Sequence, residues 1–144
     1  MARVRLVVLI AAGLVGLILG FDVLLSHARL QTISIEAQIT PSRVVADGKS
    51  SAIITVGVTE KGRPRAGDLL QVWLQSGGGI IRPEMVYTND HGQAEIRYTP
   101  NPANPYDLVD RALIHVADIS IGRLVEVDKH FVIELPVEAP SASK

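Results

Sequence analysis

Residues Ala46–Gly79 read ADGKSSAIITVGVTEKGRPRAGDLLQVWLQSGGG, and in this stretch the apolar residues recur every second position between clusters of turn-forming residues. Ala52, Ile54, Val56 and Val58 lie on one face of an extended segment. Glu60-Lys61-Gly62-Arg63-Pro64 interrupts it, Leu70, Val72 and Leu74 restore the alternation, and Ser76-Gly77-Gly78-Gly79 breaks it again. A period of two bounded by Gly, Pro and Asp is the pattern of half-buried β-strands joined by short turns. The same pattern extends in both directions. Upstream, Ile33, Ile35, Ala37 and Ile39 alternate with polar residues up to Pro41-Ser42. Downstream come a short strand around Ile80 and Ile81, then Val86 to Thr88, the turn Asn89-Asp90-His91-Gly92, and a strand with Ala94, Ile96 and Tyr98 on one side and Gln93, Glu95 and Arg97 on the other. Pro100, Pro102 and Pro105 fix an extended, non-helical loop. Ala112, Ile114 and Val116 mark a further strand, Gly122 sits near a turn, and Val125, Val127, Phe131, Ile133 and Leu135 line the last.

Seven or so short strands with no amphipathic helix to cover a sheet predict an all-β, immunoglobulin-like two-sheet sandwich, in which each sheet hides the other's apolar face. The chain of 144 residues and 15.5 kDa suffices for one such core plus a short extension. Fourteen Lys and Arg against fifteen Asp and Glu leave neither a basic footprint for nucleic acid nor an acidic tail. The absence of Cys excludes disulfides, thiolate nucleophiles, Cys-type metal sites and a lipid-modified Cys.

The apolar content is concentrated at the N-terminus. Leu6–Phe21 is uncharged, and past Asp22 the run continues to Leu25. Twenty residues at about 1.5 Å each cover roughly 30 Å, the thickness of the hydrocarbon layer, so this segment predicts one transmembrane helix in contact with membrane lipid. Arg3 and Arg5 precede it, which puts the N-terminus in the cytoplasm and the rest of the chain outside. A cleaved signal peptide is the rival, because Ser26-His27-Ala28 offers small residues at the spacing a signal peptidase needs. Against it stand the length of the uncharged core and the apolar Val23-Leu24-Leu25. The expected organisation is therefore residues 1–28 as cytoplasmic stub and membrane helix, 29–136 as the sandwich, and 137–144 as a disordered tail. Ala12, Gly16 and Gly20 share one helix face and would allow close helix packing.

The order ADGKSSAIITVGVTEKGRPRAGDLLQVWLQSGGG followed by YTNDHGQAEIRYT resembles the bacterial Ig-like domain of group one found in invasin and intimin adhesins. The matching elements are the Ala-Asp-Gly turn at Ala46 to Gly48, the charged-Gly-x-Pro-x-x-Gly hairpin at Lys61 to Gly67, and the turn from Thr88 into Ala94. The resemblance covers roughly Thr32 to Leu135. Two departures limit it: one copy stands directly behind a single membrane helix rather than in a tandem stalk, and Thr99 to Asp110 is longer and richer in Pro than the family's link. The resemblance implies a non-enzymatic, rigid extracytoplasmic module that works through protein–protein contacts as a structural or accessory subunit of an envelope assembly, or alternatively as a cell-surface adhesion domain or a secreted subunit.

Candidate chemical groups have simpler structural roles. Asp47, Glu84 and Asp90 could supply oxygens to calcium, but Asp in a Gly-containing turn ordinarily accepts local backbone N–H groups. Ser76-Gly77-Gly78-Gly79 lacks the helix and Lys-Ser/Thr of a phosphate loop. His27, His91, His115 and His130 find no Ser on a strand-to-helix elbow. No catalytic residue, cofactor, metal or small-molecule substrate is expected. The candidate interface comes from alternation: with Leu70, Val72 and Leu74 inward, Trp73 points outward beside Gln71 and Gln75. If this strand pairs with the last two, Leu113, His115, Ala117 and Val132 share its outer surface. A Trp-containing apolar patch is a protein docking surface.

Overall fold

The computed structural model describes residues 2–140 apart from 105, 107–108, 123 and 125–126, and the side chains of residues 8–140 within that set. One helix, α1 (Ala2–Leu30), is followed by ten strands: β1 (Ile33–Thr40), β2 (Val44–Val45), β3 (Ala52–Glu60), β4 (Arg63–Pro64), β5 (Leu69–Ser76), β6 (Ile80–Arg82), β7 (Met85–Tyr87), β8 (Gln93–Thr99), β9 (Arg111–Asp118) and β10 (Lys129–Glu138). They form two sheets. The first has the order β1-β3-β8-β6 with β4 paired to β3, and the second β2-β10-β9-β5-β7. All pairings are antiparallel except β2 with β10, which is parallel.

Alternation in the sequence becomes burial in the sandwich. Every second residue of β3 from Ala52 to Val58, and of β8 from Ala94 to Tyr98, is buried. Ile54 pairs with Ile96 and Ile39 in register, so its side chain sits in the middle of the inner face of the first sheet. Leu70, Val72, Ala112, Ile114, Val116, Ile133 and Leu135 cover that face from the second sheet. Two face-packed apolar layers hold the domain together without disulfides.

Gly77, Gly78 and Gly79 carry the chain from β5 in the second sheet to β6 in the first, all with positive φ. At Gly77 a Cβ would come within 2.5 Å of Ala112 Cα, and at Gly79 within 2.5 Å of Thr99 O. Only glycine fits this crossing. Buried Tyr98 fixes it by donating from its hydroxyl to Gly78 O at 2.7 Å.

Two boundaries differ from the sequence reading. The helix continues two residues past 28 to Leu30, where Thr32 N and Oγ1 both donate to Arg29 O, at 2.8 and 3.0 Å. The final strand runs to Glu138, because Val137 is buried and pairs with Val44 in β2. The tail placed at 137–144 therefore starts no earlier than Ala139, and residues 141–144, like Val125 on the last strand's expected face, lie outside the described residues.

The helix is fastened to the domain. Lys129 Nζ donates to Leu30 O at 2.9 Å and to Ile33 O, bridging the last helical carbonyl and the first strand. Such charge-assisted bonds satisfy carbonyls that a helix end otherwise leaves open. Only Gln31 and Thr32 separate α1 from β1.

Candidate interaction surface

The outer face of the second sheet is assembled by pairing. In the register of β5 with β9, Trp73 stands opposite His115 and Gln71 opposite Ala117; in that of β9 with β10, His115 stands opposite Val132 and Ala117 opposite His130. A register shift in β5 occurs between Leu74 and Ser76, one residue after Trp73, so the indole keeps its outward direction. Trp73 is 37% exposed.

The Trp73 and His115 rings stack with centroids 5.0 Å apart and planes at 26°. His130 meets both edge-on, at 6.0 Å from Trp73 and 6.4 Å from His115. These offset and edge-to-face arrangements suit the ring quadrupoles and hold the indole in one orientation. Gln75 lies at the register shift, and its Oε1 accepts a hydrogen bond from His115 Nε2 at 2.6 Å. His115 Nδ1 is buried without a hydrogen-bond partner among the described residues. Ala117 is buried on this outer side, beneath its larger neighbours.

Val132 is 48% exposed at the cluster's edge, and Leu113 is half-buried beside Glu134, which pairs with Arg111 at 2.7 Å. Asp128 Oδ2 lies 2.8 Å from His130 Nε2. The surface thus has an apolar-aromatic centre and a charged margin. It also extends where the sequence reading did not take it. β7 pairs with β5, placing Met85 opposite Gln71 and Tyr87 opposite Leu69, both exposed. With Ile80 of β6, Met85 and Trp73 border a shallow groove of about 420 Å³. The outward alternation of Met85 and Tyr87 was present in the sequence, but only strand order puts them beside Trp73. His130 joins the cluster because it lies two residues before Val132 on the same face of β10.

The other sequence candidates resolve into structural roles. Asp47 Oδ1 accepts from Lys49 N at 2.8 Å and Ser50 N at 2.6 Å, bonds that lower its carboxyl to about 2. In the turn at 89–92, Asn89 rather than Asp90 is the acceptor, taking His91 N at 2.9 Å and Gln93 N at 3.0 Å. Glu84 pairs with Arg82. Among the described residues, no three His, Asp or Glu side chains converge as metal ligands. Gly16 and Gly20 have no neighbour within 4 Å, which leaves the helix face they share with Ala12 open.

A second polar cluster, not foreseen from the sequence, lies at the helix end of the sandwich. Arg65 donates from Nη2 to Asp68 Oδ1 at 2.9 Å, from Nε to Asp68 Oδ2, and from Nη1 to Glu60 Oε2 at 3.1 Å. Asp118, fully buried at the end of β9, accepts from Ser120 N at 2.9 Å through Oδ1, while Oδ2 has no hydrogen-bond partner among the described residues. Burial, joined by the neighbouring Asp68 carboxylate and opposed by the Ser120 bond and Arg65, raises the Asp118 carboxyl to about 6.

No protein-family model and no curated protein matches the sequence. Solved structures do match in fold. A C-terminal 282-residue fragment of intimin, in complex with the intimin-binding domain of the translocated intimin receptor, superposes with a TM-score of 0.53 at 19% identity over 72% of this chain and 33% of that one. The D0-D1 domain of intimin gives 0.52 at 18% identity over 74% and 49%. The D00-D0 domain gives 0.51 at 13% identity over 68% and 45%. The chain spans half or less of the length of each of these structures. The resemblance read from the Ala46–Thr99 motifs and the two-sheet architecture agree: this sandwich has the immunoglobulin-like fold of the intimin domains.

Proposed function

We propose that this chain is a single-pass membrane protein with its N-terminus in the cytoplasm, whose Ig-like domain stands outside and binds a protein partner lateral to it as a non-enzymatic accessory subunit of an envelope assembly. One observation carries this reading. Lys129 is bonded to the last carbonyl of the helix, His130 follows it directly in β10, and Val132 lies only about 10 Å further along the strand at roughly 3.3 Å per residue. The aromatic surface is therefore at the foot of the domain, close to where the helix leaves the membrane. A partner there is a neighbour in the same membrane.

Val8–Leu30 is long and apolar enough to cross a bilayer. The helix passes unbroken through Ser26-His27-Ala28 into bonds with Thr32 and Lys129, which favours a retained anchor over a cleaved signal. The adhesion reading draws on the intimin fragment solved with its receptor domain. It would place the ligand at the far end, around Asn101 and the Pro-rich loop. Site-specific photo-crosslinkers at Val132 and at Asn101 in the full chain, in cells that make it, separate the two. Capture of one stoichiometric membrane protein from Val132, lost on Trp73→Ala, is expected. Capture from Asn101 alone would favour adhesion and overturn the lateral reading. Trp73→Ala should cost the fold less than the roughly 3 to 5 kcal/mol of a fully buried aromatic, because the indole is 37% exposed.

A further inference from the structure

The domain overlaps the helix instead of standing above it. If Leu6–Leu25 fills the hydrocarbon layer, Asp22 lies three residues, about 4.5 Å, inside its outer boundary. A carboxylate at that depth is costly unless polar groups reach it. The backbone N–H of Leu124, in the loop between β9 and β10, donates to Asp22 Oδ2 at 2.9 Å. One turn further on, Ser26 is only 2% exposed, although Leu25 and His27 on either side of it are exposed. The sandwich thus covers one side of the helix from Leu30 down to Asp22, a span of about 12 Å. At that lowest point the Leu124 side chain is 62% exposed.

Around the helix exit the chemistry changes from apolar to basic. Lys61 N donates to Thr32 O at 2.9 Å, which places the β3–β4 turn two residues beyond the helix end. Lys61 and Arg63 flank Gly62 in that turn, both exposed and neither ion-paired among the described residues. Leu30 is five residues past Leu25, about 7.5 Å above the hydrocarbon boundary and within the headgroup layer. An apolar side chain at the depth of Asp22 with long cationic side chains based about 12 Å higher, where they reach the headgroups, is the vertical order of an interfacial lipid-binding surface.

We infer that the helix-side end of the sandwich is a lipid-binding surface, with Leu124 seated at the acyl boundary and the Lys61–Arg63 turn on anionic headgroups of the same leaflet. The inference rests on the proposed membrane-spanning role of the helix. It fixes the tilt of the domain and therefore the direction in which the Trp73 surface faces.

The chain has no Cys, so a single introduced thiol is a unique label site. The full chain carrying Leu124→Cys, Leu14→Cys or Ala139→Cys, each labelled with an environment-sensitive fluorophore, is placed in vesicles of phosphatidylcholine and phosphatidylglycerol containing acyl-chain quenchers. Leu14 and Leu124 labels should be quenched at least twofold and the Ala139 label, just past the end of β10 opposite Lys129, left unchanged. A quenched Leu14 label beside a Leu124 label that behaves like Ala139 overturns the inference and leaves the spanning helix intact. An unquenched Leu14 label overturns both. In the Leu124→Cys chain, adding Lys61→Glu and Arg63→Glu should remove the gain in quenching that phosphatidylglycerol brings over phosphatidylcholine alone. An unchanged gain would overturn the role of the turn.

Discussion

Replacing Asp118 by Asn should stabilise this domain at neutral pH and leave it unchanged in acid. Asp118 is fully buried, its Oδ1 accepts from Ser120 N, its Oδ2 has no hydrogen-bond partner among the described residues, and the neighbouring Asp68 carboxylate is held by Arg65. Burial disfavours the charged form and repulsion from the Asp68 carboxylate adds to it, so the folded state favours the protonated acid, with a pKa raised from 3.8 to about 6. A raised acid pKa means the native state binds more protons than the unfolded one between those values. Stability from this group is therefore complete below about pH 4, falls as pH rises through the window to about 6, and stays low above it. At about 1.4 kcal/mol per pH unit the gap from 3.8 to about 6 corresponds to about 3 kcal/mol. Asn keeps the Ser120 bond and offers Asp68 a permanent N–H donor, so it should recover most of that amount at pH 7.5. Urea unfolding of the full chain in detergent, followed by Trp73 fluorescence at pH 4 and at pH 7.5, measures it. The lowered carboxyl of Asp47 is common to both proteins and cancels in the difference. Equal stability of the two proteins at pH 7.5, or a difference that is the same at both pH values, would refute the reasoning.

Ile54→Ala removes a fully buried side chain between Ile96 and Ile39 and should cost on the order of 2 to 5 kcal/mol by lost transfer energy plus a cavity; the same urea titration checks it, and a loss under about 1 kcal/mol would contradict its central place. Gly77→Ala puts a methyl 2.5 Å from Ala112 Cα at a φ of 104°, so a loss of more than about 2 kcal/mol is expected in thermal unfolding, whereas Gly62→Ala, with open space around it, should cost about 1 kcal/mol from its positive φ alone. Lys129→Met leaves the carbonyls of Leu30 and Ile33 without their cation, and hydrogen exchange at residues 30–33 should quicken about tenfold, the equivalent of about 1.4 kcal/mol, while exchange in β3 stays unchanged.

Where one face of a strand is buried, a period of two leaves little choice, and the inward residues of β3, β5, β8 and β9 were legible for that reason. The outward direction of Trp73 followed from the same rule. The short pieces were not legible. Val44–Val45 is too brief to show a period, and it is a strand only because β10 lies beside it; Arg63–Pro64 has no apolar residue at all. Nor could alternation say which strands are neighbours. The cluster of Trp73, His115 and His130 exists because β9 lies between β5 and β10; that these strands share a sheet follows from the immunoglobulin arrangement and not from periodicity. The contact of Arg65 and Asp68 with Asp118 joins residues about fifty positions apart. No spacing rule announces it.

The position of that acidic cluster also bears on how the aromatic surface is held relative to the helix. Arg65 and Asp68 tie the start of β5 to the β3–β4 turn through Glu60, and Leu69 N donates to Ser120 Oγ just past β9. Lys129 ties the start of β10 to the helix. Each strand that carries the aromatic cluster is thus held at its helix-side end, by Leu69 and Asp68 for β5, Asp118 and Ser120 for β9, and Lys129 for β10. A surface built on strands anchored in this way cannot swing independently of the helix, since the link between α1 and β1 is only two residues long. Rotation of the helix by contacts along Ala12, Gly16 and Gly20 would turn the Trp73 face with it. A partner that grips the helix within the membrane and the aromatic face outside it would meet both surfaces already oriented, which lowers the entropy lost on assembly.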